Sequence, residues 1–234
     1  MTRRFVFKDN DTVQVFRLGT TTNAKIVGNP KEVILQSYTF SKEQFEFVTT
    51  KSGMKEFFSI AGSNCLDCPF NSFGKCYTHK FNQYVGFISM LKSIAKDFQN
   101  FFDIPLYSTR IKEELMSVAS GRYVRFGTYG EPSKHPIDLI SGLCSVARIW
   151  TGYTHQWFMR PDLAPYFMAS VHSEYQAARA SNSGWRSFIA SAGHTQHVNC
   201  PASKEAGYKS TCDKCGLCSG MQGKGKKSIY ILLH

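Results

Sequence analysis

The sequence predicts an α/β fold of TIM-barrel type, a partial or closed β/α barrel preceded by N-terminal β-hairpins. Three observations carry this. Strand-like and helix-like segments alternate from Phe57 to the end, as parallel βαβ units require. The first sixty residues instead show two-residue alternation around turn signals. The composition, 42% hydrophobic and 14% aromatic over 234 residues, is that of a chain that buries a substantial core. Apolar residues run through the whole length, so residues 1–234 read as one domain. Within it, 1–56 form the hairpin region and 57–234 the barrel-like region that carries the cysteine motifs.

The first hairpin is signalled by Phe5 and Phe7 before the turn at Lys8 to Asp11, and by Val13 and Val15 after it. A second is expected from Ala24–Val27 and Val33–Gln36 flanking Gly28, Asn29 and Pro30. The apolar run Phe57–Ile60 reads as the first barrel strand. Helical spacing follows at Tyr84, Phe87, Ile88, Leu91, Ala95 and Phe98, then at Ile111, Leu115, Val118 and Ala119, with Gly121 as the cap. Val124–Ser133 is extended and ends in a Gly-Glu-Pro turn. Pro136 suits the first turn of a helix whose apolar face is Ile137, Ile140, Cys144 and Ala147, which places Cys144 in the core. Beyond it come an extended Ile149–His155, a turn or short helix at Pro161–Pro165, and an extended Phe167–Val171. A helix from Glu174, with a capping box of Ser173 and Gln176, precedes strands at Ser187–Ala190 and Ser228–Leu233.

Seven of the eight cysteines fall into two groups. Cys212, Cys215 and Cys218 form two C-x2-C steps sharing a cysteine, and Cys200 can return as a fourth ligand, the ligand count of a [4Fe-4S] cluster. Gly207, Gly216 and Gly220 let the backbone wrap closely there. Zinc is the alternative metal, although it favours two separated C-x2-C pairs. Cys65, Cys68 and Cys76 are three more thiols within twelve residues. Three ligands leave one coordination position open, as a catalytic centre needs, whereas four close the site for electron transfer or structural stapling. Pooling of both groups into one centre is also open, because the first and last strands of a closed barrel are neighbours.

The formal charge of +11 points to an anionic partner, nucleic acid among the candidates, but metal-bound thiolates would offset part of it. The run Lys224, Lys226 and Lys227 beside the cysteines reads as a solvated loop or as balance for a cluster. No apolar stretch approaches the roughly 20 residues of a membrane span, and the polar start lacks the apolar core of a signal peptide. The expectation is therefore an intracellular chain with reduced cysteines.

The segments FSIAGSNCLDCPF and GKCY, then VRFGTYGEPS, FMASVHSE, GWRSF, NCP, TCDKCGLCSG and SIYILLH resemble the bacteriophage gene-product-eighty-eight family of cysteine-rich proteins, over roughly Phe57 to the end. That family is distantly similar to the radical S-adenosylmethionine superfamily. The resemblance implies a partial β/α barrel, a cluster on Cys65, Cys68 and Cys76, and cofactor binding at Gly130 and Glu131. It also implies the cytoplasm of an infected bacterial host. The C-x2-C-x7-C spacing departs from the superfamily's C-x3-C-x2-C, and Tyr129 replaces the first glycine of its turn.

Three functions stay open from the sequence. One is a [4Fe-4S] protein with a redox or electron-transfer role, serving a redox partner protein or small molecule. Another is an active radical S-adenosylmethionine enzyme, in which Glu131 at a strand end meets a ligand amine. The last is a zinc-stapled nucleic-acid-binding module. Second-rank candidates are His79, His194 and His197 near the cysteines, and Arg148, Tyr153 and Arg160 as pocket residues, while Trp150, Trp157 and Trp185 read as core.

Overall fold

The computed structural model describes residues 3–50, 53–65, 68, 76, 78–191, 193 and 196–232. The first hairpin forms as its alternation predicts. Strand β1 (Arg3–Asp9) pairs antiparallel with β2 (Thr12–Gly19), and Asn10 takes the left-handed φ of 48° that a two-residue turn requires. The second predicted hairpin does not form. Strand β3 (Ile34–Ser41) joins β2 antiparallel, while 24–27 is a turn. The carbonyls of Lys25 and Ile26 accept hydrogen bonds from the backbone of Cys212 and Asp213, so tertiary contacts use the groups a hairpin would have used.

Three helices follow: α1 (Lys42–Thr50), α2 (Met54–Ser59), where the strand Phe57–Ile60 was expected, and α3 (Gly62–Cys65), in the expected loop. The run Phe57–Ile60 is thus mostly helical. Its two phenylalanines are fully buried, and so short an apolar run cannot distinguish a buried helix from a strand. The helix predicted next is α4 (Phe81–Asp97), followed by α5 (Thr109–Ala119), whose Ser108 cap accepts from the Ile111 N–H at 3.4 Å. Strand β4 (Tyr123–Tyr129) stops short of the predicted Ser133, because the chain turns at Gly130 and Pro132 opens a 3-10 turn. Helix α6 (Ile137–Val146) starts after Pro136 and buries Cys144, as expected.

The extended run after it breaks at Gly152 into β5 (Ile149–Thr151) and β6 (Tyr153–Thr154). Strand β7 (Met168–Val171), helix α7 (Glu174–Asn182) and strand β8 (Ser187–Ser191) match the sequence reading. The short β9 (Val198–Asn199) and α8 (Cys212–Cys215) carry no sequence signal of their own, and β10 (Ile229–Leu232) closes the described chain. Leu233, the last residue of the predicted strand, lies outside the described residues.

The strands make two five-stranded sheets, β1-β2-β3-β4-β5 and β6-β7-β8-β10-β9. The second is parallel throughout. In the first, β3, β4 and β5 run parallel beside the antiparallel hairpin. Neither sheet closes on itself among the described residues, so the architecture is mixed α/β with open sheets rather than a closed barrel. One apolar core, including Phe7, Leu115, Leu139, Val171, Ala177 and Tyr230, joins both sheets to α5, α6 and α7. On the opposite face α1, α2 and α4 pack over β2 and β3, and the C-terminal cysteine loop packs over the second sheet. No described helix is long and apolar enough to cross a membrane.

His135 pins the turn after β4 to the hairpin. Its Nδ1 lies 2.6 Å from Gln14 Oε1 and its Nε2 2.9 Å from Ser37 Oγ, in full burial. Burial lowers its pKa from 6.5 to about 3. The unfolded chain therefore takes up a proton near pH 6.5 that the folded chain refuses until about pH 3. Stability from this group is complete above pH 6.5 and declines as pH falls through that window. At pH 5 the loss from this one residue is about 2 kcal/mol. Urea denaturation at pH 7 and pH 5 should show that share of the acid destabilisation missing in His135→Gln.

Candidate metal centres

The C-terminal cysteines are drawn together by the sheet beneath them. Cys200 follows β9 and its N–H donates to the Tyr230 carbonyl at 2.9 Å. Cys212 and Cys215 bound α8, and the Gly152 N–H donates to the Cys218 carbonyl at 3.3 Å. Ser219 Oγ donates to the Trp150 carbonyl at 2.6 Å. Gly220 takes a φ of 63° where an added Cβ would lie 2.6 Å from the Phe167 nitrogen and 2.7 Å from the Pro165 carbonyl oxygen, so only glycine fits. Arg186, 4% exposed, binds the loop from inside: its guanidinium donates to the carbonyls of Leu217 and Gly220, each at 2.7 Å, and to that of Lys227.

Cys200 and Cys218 are buried in an apolar cluster with Met168, Ala202 and Ile229, and Cys212 packs against it. Burial raises all three thiols, and the cysteines raise one another. Cys212 is pushed up to about 11 by burial and by Cys200, with Arg125 opposing. Burial raises Cys218 further still; the Tyr153 hydroxyl works against that, and Cys200, Cys212 and Cys215 reinforce it. These mutual effects place Cys200, Cys212, Cys215 and Cys218 in one neighbourhood, where a metal would offset the desolvation and repulsion of their thiolates. The Thr211 hydroxyl beside this loop is buried without a hydrogen-bond partner.

The N-terminal set lies at the C-terminal ends of the parallel strands. Burial pushes Cys65 up to about 12, with further contributions from Cys68, Cys76 and Glu131, so the three thiols and the carboxylate face one neighbourhood. Cys76 Sγ is 3.1 Å from Thr78 Oγ1. Glu131, at the strand end the sequence predicts, is buried, with 3% exposure. Its Oε1 accepts the Ser133 N–H and its Oε2 the His155 N–H, each at 3.1 Å. Those bonds aim the carboxylate and leave further lone pairs on both oxygens. Gly130, the other residue expected to bind a cofactor, supplies the left-handed turn, with φ 76°, that brings Glu131 there.

Two residues of this site had no sequence signal. His155 follows β6 and His172 follows β7, with their Nε2 atoms 3.1 Å apart. Burial alone would lower the pKa of His155, but hydrogen bonds to Cys68 and Glu131 outweigh it and raise it to about 9. His172 is held down to about 4 by burial and then by its charged neighbour. The pair is thus a cation beside a neutral imidazole, with the cation turned toward thiol and carboxylate.

One strand separates the two sets. Tyr123, at the start of β4, senses Cys212 and Cys218, whereas Tyr129, at its end, senses Cys65 and Cys76. The two sets therefore lie at opposite ends of β4. Among the described residues, no three His, Cys, Asp or Glu side chains converge tightly enough for a single ion to bridge them as they stand.

The second-rank candidates disperse. His79 packs on the Phe58 ring, and His197 Nε2 lies 3.0 Å from Glu174. His194 lies outside the described residues. Arg148 pairs with Glu32, and Arg160 with Asp162 and the Ser133 carbonyl. Tyr153 joins a centre, at Cys218, and the His79 N–H donates to the Cys76 carbonyl at 2.9 Å. Trp157 and Trp185 are core, and Trp150 is partly buried against it. Comparison with protein-family models, with curated proteins and with solved structures gives no match to this chain.

Proposed function

We propose that this chain is an iron–sulfur protein with two cysteine centres and a redox or electron-transfer role, serving a partner protein or small molecule in the cytoplasm of an infected bacterial host. The closed centre uses Cys200, Cys212, Cys215 and Cys218. The open one uses Cys65, Cys68 and Cys76. The observation that carries the reading is the gathering of Cys200, Cys212, Cys215 and Cys218 into one neighbourhood, close enough to act on one another's ionisation. Two C-x2-C steps that share Cys215 also favour a cluster over zinc, which favours two separated C-x2-C pairs. When bound, such clusters supply one-electron chemistry.

The residues around the open centre divide the remaining work. Glu131, fixed by two backbone N–H groups, holds His155 by its backbone and lies 3.8 Å from its Nδ1. His155 presents a positive charge to Cys68, which offsets the negative charge of ligating thiolates. His172 keeps a neutral nitrogen on the same spot.

Protein prepared without oxygen should contain iron and acid-labile sulfide in equal amounts and absorb broadly in the visible. In Cys215→Ser, iron content and soluble yield should fall together, because a closed centre contributes folding energy. A colourless, fully folded protein containing zinc alone would overturn the proposal. One observation favours a second reading, radical S-adenosylmethionine chemistry: Glu131 shares a neighbourhood with the three-cysteine loop at the end of a parallel strand. Consumption of S-adenosylmethionine by the reduced protein decides between them.

A further inference from the structure

Strand register lines up a row of side chains that lie far apart in sequence. Arg4 is opposite Arg17, Arg17 opposite Gln36, Gln36 opposite Arg125, and Arg125 opposite Thr151. Directly paired residues share a face, so three guanidiniums and a buried amide cross the first sheet in one band. The band separates the apolar cluster under α1, α2 and α4 from the one that includes Ile34, Tyr123 and Ile149. Like charges placed opposite each other on neighbouring strands are unfavourable. Arg4 meets Asp97 at 3.5 Å, but that carboxylate is 62% exposed and offsets little. Arg17 hydrogen-bonds the Tyr38 hydroxyl, a neutral partner because burial raises the pKa of Tyr38.

The Arg4 and Arg17 end of the band opens into a groove between the sheet and α4. Its volume is about 580 Å³, within the range of small-molecule sites. Besides the two arginines it is lined by Tyr38, Gln83, Phe87 and Ser93. Tyr38 and Phe87 meet edge to face with ring centroids 6.3 Å apart and, 6% and 4% exposed, reach the groove by their ring edges beside the two guanidiniums. Paired guanidiniums match the oxygens of a phosphate, and ring edges with amide and hydroxyl groups suit the rim of a planar heterocycle.

From this juxtaposition we infer that the groove between β1, β2 and α4 binds a nucleoside phosphate, with the phosphate on Arg4 and Arg17 and the base against Tyr38 and Phe87. The inference does not depend on either cysteine centre.

Titration calorimetry of the full chain with adenosine monophosphate, adenosine, inorganic phosphate and a single-stranded oligonucleotide tests it. The monophosphate should bind at least about tenfold more tightly than adenosine or inorganic phosphate alone. Arg17→Gln and Arg4→Gln should each weaken it by about tenfold or more, the effect of losing a charge-assisted hydrogen bond. Asp97→Asn should tighten it, since a competing carboxylate is removed, an outcome a merely structural role would not produce. Arg17→Lys keeps the charge and the fold, and should retain part of the affinity. The inference fails if the monophosphate does not bind, if it binds no better than adenosine or phosphate, or if the Gln variants bind it unchanged. It also fails if the oligonucleotide binds far more tightly with a salt dependence of several charges, which marks an extended nucleic-acid face instead.

Discussion

Arg186→Met is expected to release the C-terminal cysteine loop and lower stability by about 3 kcal/mol, since each buried carbonyl left without its donor costs about 1–3 kcal/mol. Methionine keeps an unbranched stem but removes every donor, which leaves the carbonyls of Leu217, Gly220 and Lys227 without Arg186. These three residues bracket the segment from Leu217 to Lys227, so one side chain fixes the exit of the loop from its last cysteine to the approach of β10. The charge has a second role. Burial makes it unfavourable and Cys218 compensates, so ligating thiolates and the guanidinium stabilise each other. Urea denaturation measures the first effect. Thiol labelling of Cys200 and Cys218, 8% exposed in the native chain, measures the second. Unchanged stability with unlabelled thiols would show that the loop is held by its apolar contacts alone.

None of this is legible in the sequence, because Arg186 binds carbonyl oxygens, which every residue has. The same reasoning sorts what could be read from what could not. The hairpin at Asn10, the cap at Ser173 and the burial of Cys144 follow from local chemistry, and the structure places them as that chemistry predicts. Phe57–Ile60 misled because an apolar run of four residues fits a helix as well as a strand, and tertiary packing on Phe40 and Tyr84 decided it. Glu131 was legible as a residue at a strand end. Its partner His155 lies 24 residues away and His172 follows a further strand, so only the packing of the folded chain shows that they meet. The row of Arg4, Arg17 and Arg125 likewise exists only through strand pairing.

Gly130→Ala is the sharpest test of how β4 couples to the N-terminal cysteines. Gly130 has a φ of 76°, which costs an alanine about 1–2 kcal/mol. An added Cβ would lie 2.5 Å from the Thr39 carbonyl oxygen and closer still to the Thr39 hydroxyl and the Asn64 amide, and such overpacking costs about 1–3 kcal/mol more. The two terms fall on one point of the fold. The Asn64 amide donates to the Thr39 carbonyl at 2.7 Å, and Asn64 adjoins Cys65 in α3. A methyl group there pushes Asn64, and with it Cys65, away from Glu131 on the other side of the turn. The expected result is a loss of about 3 kcal/mol together with faster labelling of Cys65. Gly86→Ala supplies the opposite sign. That glycine lies within α4 with open space around its Cβ position, so alanine there should stabilise by about 0.5–1 kcal/mol and leave Cys65 unchanged. Destabilisation by Gly130→Ala without a change at Cys65 would mean that the turn carries Glu131 independently of the cysteine loop. Both changes together would mean that the carboxylate and the three thiols are positioned by one rigid contact between β3, α3 and the end of β4.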